Sequence, residues 1–143
     1  MDADGLFLYG PLREGGAQHG WLKRTGFEGL CGAWTAGRLF HLAELDAPAL
    51  VPGPIPGALP PGPGWVAGEF VGYGDEAGLE AAVENLDALE GVAEERTERR
   101  LIPVLLEGGQ VYKAWAWLHP EDRLPRLERE ALELPGGDWK DYL

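Results

Sequence analysis

Apolar residues recur along this chain at two spacings, and the change from one to the other marks out its elements. Leu6-Phe7-Leu8-Tyr9 is an unbroken apolar run that predicts a short strand buried on both faces and stopped by Gly10-Pro11. His19 to Thr25 predicts a helical turn, and Ala33 to Leu42 a strand in which Gly37 marks a bulge or the close approach of another backbone. Trp65 to Val71 resumes the sheet. Arg99 to Leu106 and Gln110 to Leu118 read as two strands joined by Glu107-Gly108-Gly109, a hairpin. In the second of them Trp115 and Trp117 share one face, read as core packing, while Ala114 and Ala116 share the other and leave space. Glu121 to Leu134 predicts a charged final helix with Leu124, Leu127, Ala131 and Leu134 on its inner face, broken early by Pro125 and ended by Pro135-Gly136.

The clearest helical period lies in residues 75–91, DEAGLEAAVENLDALEG. Leu79, Val83 and Leu86 fall on one face with Ala82 and Leu89 beside them, and Glu80, Glu84 and Asp87 project to the other side. Asp75 is an N-cap residue and Gly91 a C-terminal stop. Glu90 breaks the pattern, because it stands only about 20° round the helix from Leu79 and so shares the apolar face. Apolar surroundings and the negative end of the helix dipole both disfavour a carboxylate, which raises its pKa and suits it to exchange protons near neutral pH. The alternative is a helix that stops early and leaves Glu90 pointing to water.

Other stretches leave two readings open. In the turn after the first strand, the backbone N–H groups of Gly10 and Leu12 can form a small concave anion site, although Pro11 has no N–H to add. Otherwise the turn is a strand end followed by a solvated loop, with Arg13 a surface charge. Glu69 shares a strand face with Ala67 and Val71, so it either points inward as a second acid or is exposed or salt-bridged. Pro52 to Gly64 holds six prolines and four glycines and must be an extended, weakly packed loop, either a lid over a site or a plain surface excursion.

Composition then narrows the chemistry. With 143 residues, 45% of them hydrophobic, the chain is expected to form one domain over residues 1–143 around a single core. No apolar run approaches the roughly 20 residues of a membrane span, and the acidic N-terminus lacks the features of a signal peptide, so a cytoplasmic protein without a membrane partner is expected. The lone Cys31 agrees with a reducing compartment. A formal charge of −12 argues against a nucleic-acid partner. The chain has no serine, and Cys31 has no histidine near it in sequence, which leaves nucleophilic catalysis without its usual residues. His19, His41 and His119 lack metal-ligand spacing, and there is neither a Walker-type loop nor a G-x-G-x-x-G after a strand, so no metal or cofactor is expected. If the chain is an enzyme, a carboxylate should lead.

The order of short motifs carries a resemblance. Tyr9-Gly10-Pro11-Leu12-Arg13, Gly37-Arg38-Leu39-Phe40, Pro48-Ala49-Leu50, Gly68-Glu69-Phe70, Leu86-Asp87-Ala88-Leu89-Glu90-Gly91 and Ala114-Trp115-Ala116-Trp117 succeed one another as in the gamma-glutamylcyclotransferase-like family. Gly137-Asp138-Trp139 also resembles endings seen among its bacterial members. The resemblance implies an α+β fold, a mixed β-barrel flanked by helices. It implies a pocket for a small γ-glutamyl substrate between the Tyr9, Gly10, Pro11 and Leu12 loop and Glu90, with Glu90 the catalytic residue. The implied reaction cyclises the γ-glutamyl group to 5-oxoproline and releases its amine; the rival readings are a non-catalytic binding module that keeps the pocket and a small structural domain. Two departures bear on substrate: Pro11 stands where relatives usually carry serine or threonine, and Thr97 where they often carry tyrosine. The sequence does not indicate an oligomeric state.

Overall fold

The structure, a computed structural model, describes residues 3–141. In chain order it contains β1 (Gly5–Leu8), α1 (His19–Lys23), β2 (Gly29–Leu42), β3 (Ala47–Pro52), β4 (Trp65–Gly72), α2 (Glu76–Leu89), β5 (Glu98–Leu106), β6 (Val111–Leu118), α3 (Leu124–Glu130) and β7 (Leu132–Glu133). Five strands close on themselves. β1 pairs antiparallel with β4, β4 with β2, β2 with β5 and β5 with β6, and the parallel pair of β6 with β1 completes a mixed barrel. With the extra strands and three helices, this is the α+β barrel that the family resemblance implies. Among the described residues no helix is long and apolar enough to cross a membrane.

In place of the single core that composition predicts, the apolar side chains form three clusters, the smallest of Phe40, Ala49, Val51 and Leu127, and strand alternation sorts the barrel residues between the other two. Phe7, Ala33, Val66, Phe70, Ile102, Val104, Ala114 and Ala116 fill the barrel, the alanines making room for the two phenylalanines. On the outer wall Leu6, Leu8, Val71 and Trp117 form a second apolar layer beneath α2, which buries Leu79, Ala82, Val83 and Leu86 against it. Each Leu-sized side chain so buried contributes roughly 1.5–3 kcal/mol. Trp117 therefore packs between strand and helix, as its face of β6 predicts.

The long β2 serves two sheets. Its first half belongs to the barrel, and from Gly37 onward it runs out to pair with β3, whose Val51 carbonyl would lie 2.6 Å from any Cβ at position 37. β3 has no counterpart in the sequence reading, because Pro48 and Pro52 make it a poor strand by composition. It is tolerated as an edge strand, where a missing donor costs little.

The C-terminal region departs from expectation. The helix predicted over 121–134 is a 3-10 turn at Glu121–Arg123 followed by α3, and it ends at Glu130. Ala131 is extended, and Leu132–Glu133 pair as β7 with Phe40 and His41 of β2. Pro125 starts the helix rather than breaking it, since a proline in the first turn gives up only an N–H that would lack a helical partner. The strand wins over further helix because it satisfies a free edge of β2, adds a bond from Leu134 N–H to the Leu39 carbonyl, and places Glu133 in a bidentate pair with Arg38 at 2.8 and 3.0 Å.

Residues 53–64 form an extended loop whose two ends meet at β2: Gly53 N–H donates to the Ala36 carbonyl and Gly37 N–H to that of Gly64. Ile55 and Leu59 within it are 73% and 80% exposed. None of its residues lines the cavity that holds Glu90, and Pro61 and Gly62 border a different one.

Candidate active site

Asp75 caps α2 as predicted, its carboxylate accepting from Gly78 N–H at 2.7 Å. At the other end Glu90 N–H still reaches the Leu86 carbonyl, and Gly91, at φ 71°, turns the chain out of the helix. Glu90 is thus the residue at which the helix stops. Asp87, one turn earlier, does not face open water as its place on the polar face suggests. Its carboxylate accepts from the Trp117 indole N–H at 2.9 Å and from Arg99 Nε at 2.9 Å, and the Arg99 guanidinium lies 4.4 Å from the Trp115 ring centre. This cluster pins the end of α2 to β5 and β6. Thr97 completes it by donating its hydroxyl to the Glu90 carbonyl at 3.0 Å.

Glu90 and Tyr9, Gly10, Pro11 and Leu12 all line one cavity of about 390 Å³, within the size range of small-molecule sites. The hairpin of β2 and β3 supplies another wall with Asp46 and Pro48. Burial pushes the Glu90 carboxyl above its ordinary range, and nearby Arg96 opposes the shift. Tyr9 donates its hydroxyl to the Trp117 carbonyl, tying the loop after β1 to the end of β6. Burial, and next the Glu90 charge, raise the Tyr9 pKa, so the phenol keeps its proton. Among the described residues the N–H groups of Gly10 and Leu12 have no hydrogen-bond partner, whereas the Gly10 and Pro11 carbonyls are taken by Arg13 and Gln18 N–H. The loop thus keeps its donors available and its acceptors occupied.

Tyr9→Phe is expected to destabilise the protein by about 1–3 kcal/mol in urea denaturation, because the Trp117 carbonyl loses its hydroxyl donor while the ring keeps its place.

Three further groups reach this cavity that the sequence did not single out: Arg96, His119 and Arg123. Burial and the Arg123 charge hold the His119 imidazole below its usual pKa, and Asp122 opposes them, so the ring is neutral at pH 7. No periodicity marks these residues, since two are in turns and one just follows a strand. Arg13 corrects the expectation in the opposite direction, and Glu69 takes the salt-bridged one of its two alternatives. Arg13 is not a surface charge, and Glu69 is not a second acid in the cavity. They meet on the far side of the loop, where Arg13 Nη1 donates to Asp138 at 2.8 Å and Nε lies 3.7 Å from Glu69. Glu69 also accepts from Glu14 N–H at 2.7 Å.

Residues 6–141 match the family described as gamma-glutamyl cyclotransferase, AIG2-like. The chain belongs to that family. Solved structures share the gamma-glutamyl cyclotransferase-like fold at low identity. YkqA of Bacillus subtilis superposes with a TM-score of 0.65 at 20% identity over 98% of this chain, which spans only 40% of YkqA. A protein of Arabidopsis thaliana solved in solution gives 0.64 at 21% identity, covering 99% of this chain and 83% of its own. An AIG2-like protein of Mus musculus gives 0.58 at 18% identity, covering 82% and 78%. No protein of curated function matches the sequence significantly. The gamma-glutamyl cyclotransferase family is usually enzymatic.

Proposed function

We propose that this protein is a γ-glutamyl cyclotransferase that converts the γ-glutamyl group of a small amine or peptide to 5-oxoproline and releases the amine, with Glu90 as its acid–base residue. One observation carries the reading: a carboxyl raised by burial faces the same cavity as a loop with two unpaired N–H donors. In the reaction the substrate α-ammonium gives a proton to ionised Glu90, and the freed amine nitrogen bonds to the side-chain carbonyl carbon. The resulting oxyanion is held by N–H groups of the Gly10 and Leu12 loop. The bond from that carbon to the leaving nitrogen then breaks as Glu90 returns the proton to it, and the second proton shed by the ring nitrogen passes by the same carboxylate to the released amine, which leaves as its ammonium. Atoms balance without water, and no side-chain nucleophile is required.

Ring closure within one substrate suits a site built from few groups. Well-oriented intramolecular reactions reach effective molarities of roughly 10⁵ to 10⁸ M, so holding the chain folded supplies much of the acceleration. Arg96 and Arg123 at the cavity add charge complementary to the substrate carboxylate. The reading includes a cytoplasmic setting, in keeping with the free Cys31. The test is incubation with a panel of γ-glutamyl amines and peptides, with 5-oxoproline and amine followed by mass spectrometry. Equimolar release of both is expected. Silence across the panel with tight binding of one member would instead make the protein a binding module, the outcome that Pro11 in place of a hydroxyl residue would explain.

A further inference from the structure

A second cavity, of about 310 Å³, lies on the outer wall of the barrel and shares no lining residue with the Glu90 cavity. Its form follows from strand register. Trp34 stands opposite Ala67 and Ala36 opposite Trp65 in the pairing of β2 with β4, so both indoles are on one face and are diagonal neighbours. Register puts only Ala36 and Ala67 next to both rings, and Gly32 follows one step beyond Trp34, so the trough runs over small residues past the two indoles. Pro61 and Gly62 of the proline-rich loop and Asp138 of the C-terminal segment close it over. The Trp65 ring is fixed in place by its N–H, which donates to the Ala58 carbonyl of the same loop at 2.8 Å.

The charges in this trough do not balance. Arg13, its basic residue, is committed to Asp138 and Glu69. Glu107 is not committed: among the described residues its carboxylate has no hydrogen-bond or ion-pair partner. It rests over Gly32, where a Cβ would lie 3.0 Å from its Oε2, so the absence of a side chain at 32 lets the carboxylate lie along the trough. Two indole rings and an uncompensated carboxylate favour cations over anions, and a net charge of −12 extends that preference beyond the site.

We propose that this trough is a binding site for an alkylammonium group, its methylenes lying against Trp34 and Trp65 and its charge on Glu107. The group can belong to a free amine or to a lysine side chain. The proposal is independent of the reaction at Glu90. It is tested by titrating the intact protein with n-butylammonium chloride and with Nα-acetyl-lysine methylamide, following the tryptophan indole resonances by NMR and the heat by calorimetry. Saturable binding is expected, with the Trp34 and Trp65 resonances shifting and that of Trp117, which lines the other cavity, remaining in place. Butyrate should not bind. Glu107→Gln should weaken binding by about tenfold or more through loss of the counter-charge, and Trp34→Leu by a similar factor. Glu107 is exposed, so its variant does not endanger folding, whereas Glu90→Gln should leave this binding unchanged. Binding of both cations points to free amines, and binding of the lysine derivative alone points to a peptide side chain. No saturation by either cation, full affinity in Glu107→Gln, or shifts confined to Trp117 would overturn the proposal.

Discussion

Glu90→Gln should lower kcat by about 10² to 10⁴-fold, the usual contribution of a positioned acid–base group, and leave the protein at least as stable as the parent at pH 7 to 8. Both halves follow from the raised carboxyl. A folded-state pKa above the unfolded value means that the native state holds the proton more tightly. The stability this residue contributes is therefore fully present below the unfolded pKa and is lost as pH rises through the folded pKa. At pH 7 to 8 the ionised form is a partly desolvated charge, which glutamine replaces by a neutral group of nearly the same shape. Below the unfolded pKa, parent and variant should be alike. Denaturant titrations at acid and at slightly alkaline pH, paired with 5-oxoproline assays, check each half separately. An active variant would remove Glu90 from the mechanism, and a strongly destabilised inactive one would make it structural.

Arg13→Ala should cost about 3–5 kcal/mol of stability, the usual penalty for leaving one partner of a buried ion pair alone. The Arg13 and Glu69 side chains are only 8% and 9% exposed. Without the guanidinium, Glu69 keeps Glu14 N–H and, at 3.5 Å, the Lys140 ammonium, while Asp138 loses its bond to Nη1. The loop carrying Gly10 and Leu12 would also lose its tie to the C-terminal segment. Arg13→Met combined with Glu69→Gln should recover most of the loss, because the buried charges go together and the apolar stem is retained. Urea denaturation of the three proteins measures this. A single variant within 1 kcal/mol of the parent would show that Lys140 and solvent compensate for Arg13, and an unrecovered double variant would show that the packing and not the pairing matters.

The candidate site was legible where its determinants are local. Asp75, the Leu79, Val83 and Leu86 stripe and Gly91 define α2 within one stretch of chain, and the position of Glu90 on that stripe follows from helical geometry. The β5–β6 hairpin is equally local, with its turn beside both strands. The burial of Arg13 is not legible in the sequence, for the complementary reason. A glycine-rich, charged loop has the composition of a solvated segment, and its partners Glu69 and Asp138 lie in β4 and near the C-terminus, so only the closed barrel reveals that the charge is buried. The same holds for Asp87, whose partners Arg99 and Trp117 come from β5 and β6.

By itself, then, the sequence determined the elements whose hydrogen bonds and apolar faces are set by near neighbours: the capped helix α2, the main barrel strands, the turn after β1 and the placing of an acid at a helix end. Tertiary structure decided the rest. The edge strands β3 and β7 exist because the outer half of β2 offers unpaired backbone groups, and that demand outweighs two prolines in one case and a helical pattern in the other. Arg96, His119 and Arg123 share a cavity with Glu90, and Trp34, Trp65 and Glu107 share another, because barrel closure and strand register bring together residues distant in the chain. Periodicity records which face of an element is buried, and it carries no information on what that face will meet.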